Sequence, residues 1–107
     1  MRYSIHYYSV EVQEAIMSLP DTLQARYIGL TQRMVEYGPH LGLPHTEAFG
    51  NGLFELRLKG AEGIARVFFC TMVKQEIVML HSFIKKTQKT PQKELNIARL
   101  RMKELKK

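Results

Sequence analysis

The sequence lacks the features that mark exported, membrane-spanning and metal-stabilised proteins. Its one cysteine, Cys70, has no second cysteine with which to form an internal disulfide. No stretch approaches the roughly 18 uninterrupted apolar residues of a transmembrane helix, and the first eight residues lack the apolar core of a signal peptide. No Cys/His spacing is typical of a zinc site, including that of His40 and His45. These absences predict a small cytoplasmic protein without a membrane segment, metal or cofactor.

Familiar catalytic motifs are absent as well. The sequence contains no GxSxG serine motif, no HExxH motif, no glycine-rich phosphate loop and no paired cysteines. Its 107 residues are 45% hydrophobic and 24% charged, which is typical of a globular protein. A chain of this length is expected to form one domain, residues 1–107. Its function must be inferred from charge and from the strand pattern.

Positive charge is concentrated toward the C-terminal end of the sequence. The formal net charge is +6, from 16 Lys and Arg against 10 Asp and Glu. Residues 81–107 carry nine basic and two acidic side chains, whereas residues 1–80 carry seven basic and eight acidic ones. Such an asymmetry indicates a polyanionic or acidic partner. A lysine-rich, solvated helix is the alternative, and charge alone does not separate the two.

The apolar periodicity predicts an α+β fold with the element order β-α-α-β-β-β-α. A first strand over residues 2–8 precedes a helical hairpin whose helices meet at Pro20, and Gly38-Pro39 ends its second helix. The glycine- and proline-rich segment 39–52 is expected to be a loop. Thr90-Pro91 then supplies an N-cap and a first-turn proline for the last helix. The small antiparallel sheet is completed by strands over 53–59, 64–72 and 76–83.

Two arginines are predicted to face each other in the central strand pair. A turn at residues 60–63 places Arg57 opposite Arg66, with both side chains on one face of the sheet. Because opposed cations repel each other, an anion is expected beside them. One interpretation is that Glu55 neutralises the pair. The other is that the pair binds the phosphate of a phosphodiester.

The neighbouring strand ends in two lysines, Lys85 and Lys86, which we expect to close this site from the side. Grouped cations suit RNA cleavage, in which the 2′-hydroxyl needs a base, the phosphorane needs positive donors and the leaving oxygen needs an acid. Crowding among cations lowers the pKa of a lysine, so that it can act as base. Phe83 and His81 are candidates to stack on an RNA base, although a core position and a structural hydrogen bond are their alternatives.

Several segments of the second half resemble a known toxin family. They are Gly52–Arg57 (GLFELR), Ala65–Phe69 (ARVFF), Val78–Pro91 (VMLHSFIKKTQKTP) and the spaced residues Glu94, Ala98 and Arg101. Together they resemble the phage-derived, HigB-like branch of the RelE/ParE toxin superfamily, and the element order of the whole chain agrees. The segment LHSFIKKTQKTP is the most specific of these motifs.

The resemblance implies a toxin of a type II toxin–antitoxin system. Members of this branch are mRNA interferases, that is, ribosome-dependent endonucleases that enter the ribosomal A site, cut mRNA without a metal and arrest translation. Their implied fold is a small antiparallel sheet flanked by helices. The implied partners are therefore mRNA on the ribosome and a cognate antitoxin, usually a helix-turn-helix DNA-binding protein.

The resemblance also implies which residues act. Arg66 matches the strand arginine that stabilises the transition state, and Arg57 matches a basic position on the preceding strand. Lys85 and Lys86 match the basic segment after the last strand. RNA contacts are expected from Lys59, Phe83, Lys89 and Lys93.

Proton transfer is less well assigned, because this sequence departs from its relatives there. Some of them carry a tyrosine or histidine near the start of the final helix, whereas residues 87–94 contain neither. His81 or a lysine with a lowered pKa would have to serve, or catalysis depends on positioning and charge.

Two other functions stay open on the sequence. A ParE-like toxin of the same fold would inhibit DNA gyrase by protein binding and would not need the catalytic cations. A non-catalytic, basic RNA- or protein-binding module would cause no growth defect when expressed.

Overall fold

A computed structural model describes residues 2–107 and shows a five-stranded sheet with helices packed on both faces. The strands are β1 (Ser4–Tyr7), β2 (Thr46–Ala48), β3 (Leu53–Gly60), β4 (Gly63–Met72) and β5 (Glu76–Lys85), and the helices are α1 (Val10–Met17), α2 (Asp21–Tyr37) and α3 (Gln92–Leu105). The strand order across the sheet is β1-β5-β4-β3-β2. The predicted α+β fold is confirmed.

The helical hairpin begins and ends where the sequence predicts. The Ser9 hydroxyl caps α1 by accepting a hydrogen bond from the backbone N–H of Val12 at 3.2 Å. Helix α2 ends at Gly38, whose φ of 107° is a conformation that favours glycine. Apolar positions three or four residues apart give α2 one buried face. The buried residues of α2 are the apolar Leu23, Tyr27, Leu30 and Met34 and the polar Thr31.

The sheet differs from the sequence prediction in two details. Strand β1 runs parallel to β5, so the sheet is mixed and not wholly antiparallel. Alternation predicts a strand but not its neighbour or direction, which tertiary packing decides. The segment 39–52, predicted as a loop, contains β2, which pairs antiparallel with β3. Three residues are too few to show alternation, and β2 is anchored by the buried Thr46, whose hydroxyl lies 2.9 Å from His40 Nδ1.

Each face of the sheet has its own apolar core. Leu56 and Leu58 pack against the helical hairpin, as predicted, and Phe54 lies partly buried beside them. On the opposite face, α3 lies over β4 and β5, with Leu95 and Ala98 buried. The strand residues of this second core are Leu53, Phe68, Cys70, Val78 and Leu80.

An irregularity in β5 changes which of its side chains share a face. The pairing of β4 with β5 shifts between Phe68 and Phe69, which leaves Leu80 without a cross-strand partner on β4. After this bulge, Phe83 pairs with Arg66 and Lys85 pairs with Ile64. A bulge moves the residues beyond it to the other face, so Lys85 lies on the same face as Arg66.

Helix α3 packs on one face of the sheet and covers only the part of that face near Cys70 and Leu80. The other part, around Arg57 and Arg66, borders open cavities. No helix within residues 2–107 has both the length and the apolar character needed to cross a membrane.

Candidate functional site

The candidate site is built on the β3–β4 hairpin, where Arg57 and Arg66 are direct cross-strand partners as predicted. Clean alternation in β3 and the short turn fix this register. Arg66 is only 6% exposed, whereas about a third of the Arg57 side chain is exposed. Arg57 and Arg66 both line two cavities on this face of the sheet.

A buried carboxylate lies beside the arginine pair. Glu55 is 2% exposed, and its Oε1 lies 3.5 Å from Arg66 Nε and 3.9 Å from Arg57 Nε. Arg57 Nη1 also lies 3.7 Å from Glu47 Oε1. Glu55 therefore compensates part of the positive charge, which is one of the two interpretations of the sequence. Glu55 does not occupy all the hydrogen-bond donors of the two arginines, because the buried Arg66 Nε makes no hydrogen bond within residues 2–107.

Burial dominates the ionisation of this pair. It raises the pKa of the Glu55 carboxyl, an effect that the Thr90 hydrogen bond and the two arginines oppose. It lowers the pKa of Arg66, which Glu55 opposes. In each group the loss of hydration outweighs the attraction of the partner. The pair is consequently a costly arrangement for the fold.

Thr90 contacts Glu55 and does not cap α3. Its hydroxyl donates to Glu55 Oε2 at 3.0 Å, while the N-cap position belongs to Pro91 and has no side-chain cap. The prediction that Thr90 is the N-cap and Pro91 the first helical residue was therefore wrong. A buried carboxylate oxygen accepts strongly, and this contact ties the segment before α3 to the arginine pair.

The four basic residues predicted to converge border one cleft. Arg57, Arg66, Lys85 and Lys86 line a space of about 550 Å³ together with Ile64, Thr87 and Gln88. Burial lowers the pKa of Lys85, and the charge of Arg66 lowers it further. The cleft thus combines fixed guanidinium groups with an ammonium group that gives up its proton more readily than usual.

A second cavity of about 350 Å³ adjoins the cleft and shares Arg57, Ile64 and Arg66 with it. It adds His45 and Arg26, which the sequence did not single out as site residues, and Lys59, which it did. The backbone carbonyl of His45 accepts a hydrogen bond from the Arg57 N–H at 2.8 Å, which holds this loop against β3. We define the cleft and this cavity together as the cationic cleft.

Other predicted residues lie elsewhere. His81 Nε2 lies 2.7 Å from Glu94 Oε1, in a small cavity bordered by α1 and by Arg101 of α3. It does not border the cationic cleft. The Phe83 ring stacks on the rings of His81 and Phe68, each 6.0 Å away between centroids. Lys89 and Lys93 are exposed and also lie outside the cleft.

Solved structures share this fold. A mutant of the E. coli toxin RelE in the free state is similar with a TM-score of 0.69 and 9% identity, over 95% of this chain and 99% of that one. A chain of the archaeal RelE–RelB complex from Pyrococcus horikoshii OT3 is similar with a TM-score of 0.52 and 22% identity, over 78% of this chain and 96% of that one. The protein therefore has a RelE-like fold.

The sequence itself assigns the family. The profile of the family described as phage-derived protein Gp49-like (DUF891) matches residues 14–103, and the chain belongs to this family. No curated protein matches the sequence. The expected phage-derived family and the RelE-like fold are confirmed by these matches, while membership of the RelE/ParE superfamily and of its HigB-like branch stays a prediction.

Proposed function

We propose that this protein is the toxin of a type II toxin–antitoxin system and a ribosome-dependent mRNA endonuclease. The observation that carries the proposal is the convergence of Arg57, Arg66, Lys85 and Lys86 on one open cleft. No aspartate or glutamate is among the described residues that border the cleft. The RelE-like fold and the Gp49-like family support the same function.

In this reaction the arginines bind the scissile phosphate. The planar guanidinium group presents paired donors that match phosphate oxygens, and the negative charge on those oxygens grows as the phosphorane forms. Arg66 is held by its burial and by Glu55, so its donors are already oriented when the substrate arrives. Lys85 at the end of β5 and Lys86 after it add charge to the same cleft.

His45 is the proton-transfer group that we propose. The other three histidines have side-chain partners: His6 contacts Ser4, His40 contacts Thr46, and His81 contacts Glu94. The imidazole of His45 has no hydrogen-bond partner in the described part of the chain. It borders the second cavity, which Arg57 and Arg66 also line. A ring nitrogen of imidazole can accept a proton and later donate it, which suits proton transfer.

The proposed cleavage is a transesterification. The 2′-oxygen forms a bond to phosphorus and its proton passes to a base. The bond from phosphorus to the 5′-oxygen breaks, and that oxygen takes a proton from an acid. The products are a 2′,3′-cyclic phosphate and a 5′-hydroxyl. His45 serves one of these two transfers, and the lowered pKa of Lys85 suits it to the other.

The function is tested by adding the purified protein to ribosomes that are translating a defined mRNA. We expect cleavage of the mRNA at the A-site codon and no cleavage of the same RNA without ribosomes. Expression in cells that leaves mRNA intact but breaks DNA would contradict this proposal and favour gyrase inhibition. Expression without any growth defect would favour a binding module.

Replacement of His45 by glutamine should lower the single-turnover cleavage rate by about 10²- to 10⁴-fold, because general acid–base catalysis supplies that range. The urea midpoint should not change, since the side chain is only partly buried. The matched control is His6→Gln, an exposed histidine on β1. A substrate with sulfur as the leaving atom should restore the rate if His45 is the acid, and should not if it is the base. A wild-type rate with the normal substrate would rule out both roles.

A cognate antitoxin is the proposed protein partner, and the archaeal RelE–RelB complex supports this. We expect it to be a helix-turn-helix protein with an acidic segment that complements the cationic cleft. In this role the toxin acts in the cytoplasm, where translating ribosomes are.

A further inference from the structure

The cationic cleft does not end at Lys59. A third cavity of about 500 Å³ lies along α2 and shares both Arg26 and Lys59 with the second cavity. It also contains Arg33, two helical turns beyond Arg26 on the same helix. We call the surface of Arg26, Arg33 and Lys59 the α2 groove. The α2 groove therefore adjoins the cationic cleft at these two shared residues.

The path between them passes around an open edge of the sheet. Strand β2 pairs with β3 only over Phe54–Leu56, and the next contact on that side is the single hydrogen bond from Arg57 to His45. Within residues 2–107, no strand pairs with the rest of β3 on this side. The groove can therefore lead from the α3 face of the sheet, past Lys59, to the outer surface of α2.

The charged residues that border this path are basic. Seven basic residues border the three cavities, and none of the described bordering residues is acidic. Arg26, Arg33 and Lys59 form no ion pair within residues 2–107. Three carboxylates lie beside the path, Glu47 and Glu55 near Arg57 and Glu62 at Thr22. Cations that form no ion pair with them are suited to a ligand that carries repeated negative charge. The basic residues are Arg26, Arg33, Arg57, Lys59, Arg66, Lys85 and Lys86.

The shape of α2 fits an extended ligand as well. Between the two arginines lies Gly29, where a methyl group would meet no atom within 4 Å. A glycine inside a helix costs about 1 kcal/mol relative to alanine, and no close packing requires it here. Gly29, Ala25 and Thr22 are small residues, so the bottom of the groove is recessed.

We infer that the α2 groove binds the phosphates of a single-stranded RNA on one side of the scissile phosphate. The inference rests on the proposed function for the identity of the ligand. Arg26, Arg33 and Lys59 are binding residues and not catalytic ones, because they bind the strand away from the bond that breaks. The substrate is accordingly a strand of several nucleotides, and a dinucleotide would leave the groove empty.

The test measures RNA binding by the full chain without ribosomes. The probe is a fluorescently labelled, non-cleavable single-stranded RNA of about 12 nucleotides, a length within the range bound by single-strand sites. Its anisotropy is titrated with protein at salt concentrations from about 50 to 200 mM. Each phosphate contact on a single strand contributes about 0.7 to the slope of log K against log salt. The variant Arg26→Gln/Arg33→Gln should therefore reduce the slope by about 1.4.

The matched control is Arg99→Gln/Lys103→Gln, which removes the same charge from exposed positions of α3. It should leave the slope unchanged. Equal reductions by both double variants would show binding through net charge alone and would overturn the groove. An unchanged slope in the α2 variant would overturn it too, as would loss of antitoxin binding in that variant with RNA binding intact.

The experiments distinguish a failure of the groove from a failure of the proposed function. RNA that binds through the α2 groove but is not cut on ribosomes would contradict the nuclease and leave the groove standing. Cleavage that depends on Arg66 together with an unchanged salt slope in the α2 variant would contradict only the groove.

Discussion

Replacement of Arg66 by lysine is expected to lower the rate of mRNA cleavage on ribosomes by about 10²- to 10³-fold, the usual effect of losing one oriented donor to a transition-state oxyanion. Lysine keeps the positive charge beside the buried Glu55 but loses the planar, paired donors of the guanidinium group. The expected loss therefore arises from the geometry of phosphate recognition. It is measured as the single-turnover rate at saturating ribosomes, with the urea midpoint of the same preparation.

The exposed Arg99 on α3 offers the matched control, since Arg99→Lys changes the same groups away from the cleft. Because Arg66 is buried, its variant is paired with Arg57→Lys, at a side chain that is about one third exposed. Arg57→Lys should fold normally and lose about tenfold in rate. A folded Arg66→Lys variant that cuts at the wild-type rate would remove Arg66 from the catalytic group.

The position of the arginine pair could be predicted because local rules determine it. Polar and apolar residues alternate in β3, and the turn at Ala61–Glu62 is short, so Arg57 and Arg66 could meet in only one register. The burial of Leu56 and Leu58 against the hairpin follows from the same alternation. Sequence periodicity was sufficient to predict the register and the burial of these residues, because each depends on a single strand or a single turn.

The remainder of the site depends on contacts between distant segments. Lys85 lies on the face of Arg66 because of the bulge at Leu80, which alternation does not reveal. His45 borders the cleft because its loop is bonded to Arg57, and the Gly/Pro-rich sequence indicates only that a loop exists. Thr90 had a valid local interpretation as a cap, but a carboxylate 35 residues earlier in the chain accepts its hydrogen bond.

The second large effect concerns stability and follows from the buried pair Glu55–Arg66. Arg66→Met alone should destabilise the protein by about 3–5 kcal/mol, because it leaves the carboxylate buried without its nearest cation. Glu55→Gln/Arg66→Met should recover this loss and exceed the wild type by about 1–4 kcal/mol, as when other buried ion pairs are replaced by neutral groups. Glutamine can still accept the Thr90 hydrogen bond.

The direction of both pKa shifts supports this order of stabilities. Burial raises the pKa of Glu55 and lowers that of Arg66, so each charge is less favourable in the folded chain than in water. Since the folded state binds the Glu55 proton more tightly, wild-type stability from this group is complete below the unfolded pKa. It is lost as pH rises through the raised pKa. The Gln/Met variant lacks this loss, so its advantage over the wild type should grow as pH rises above the ordinary pKa of a glutamate, about 4.3.

Urea unfolding of the wild type, Glu55→Gln, Arg66→Met and the double variant at neutral pH completes the cycle. Arg99→Met, at an exposed position, should stay within about 0.5 kcal/mol of the wild type and serves as the control. The double variant should be stable and inactive on ribosomes. A double variant less stable than the wild type would mean that the pair stabilises the fold, and the buried arginine would then need no functional explanation. A stable, inactive one would mean that the protein retains Arg66 for phosphate binding despite its cost to the fold.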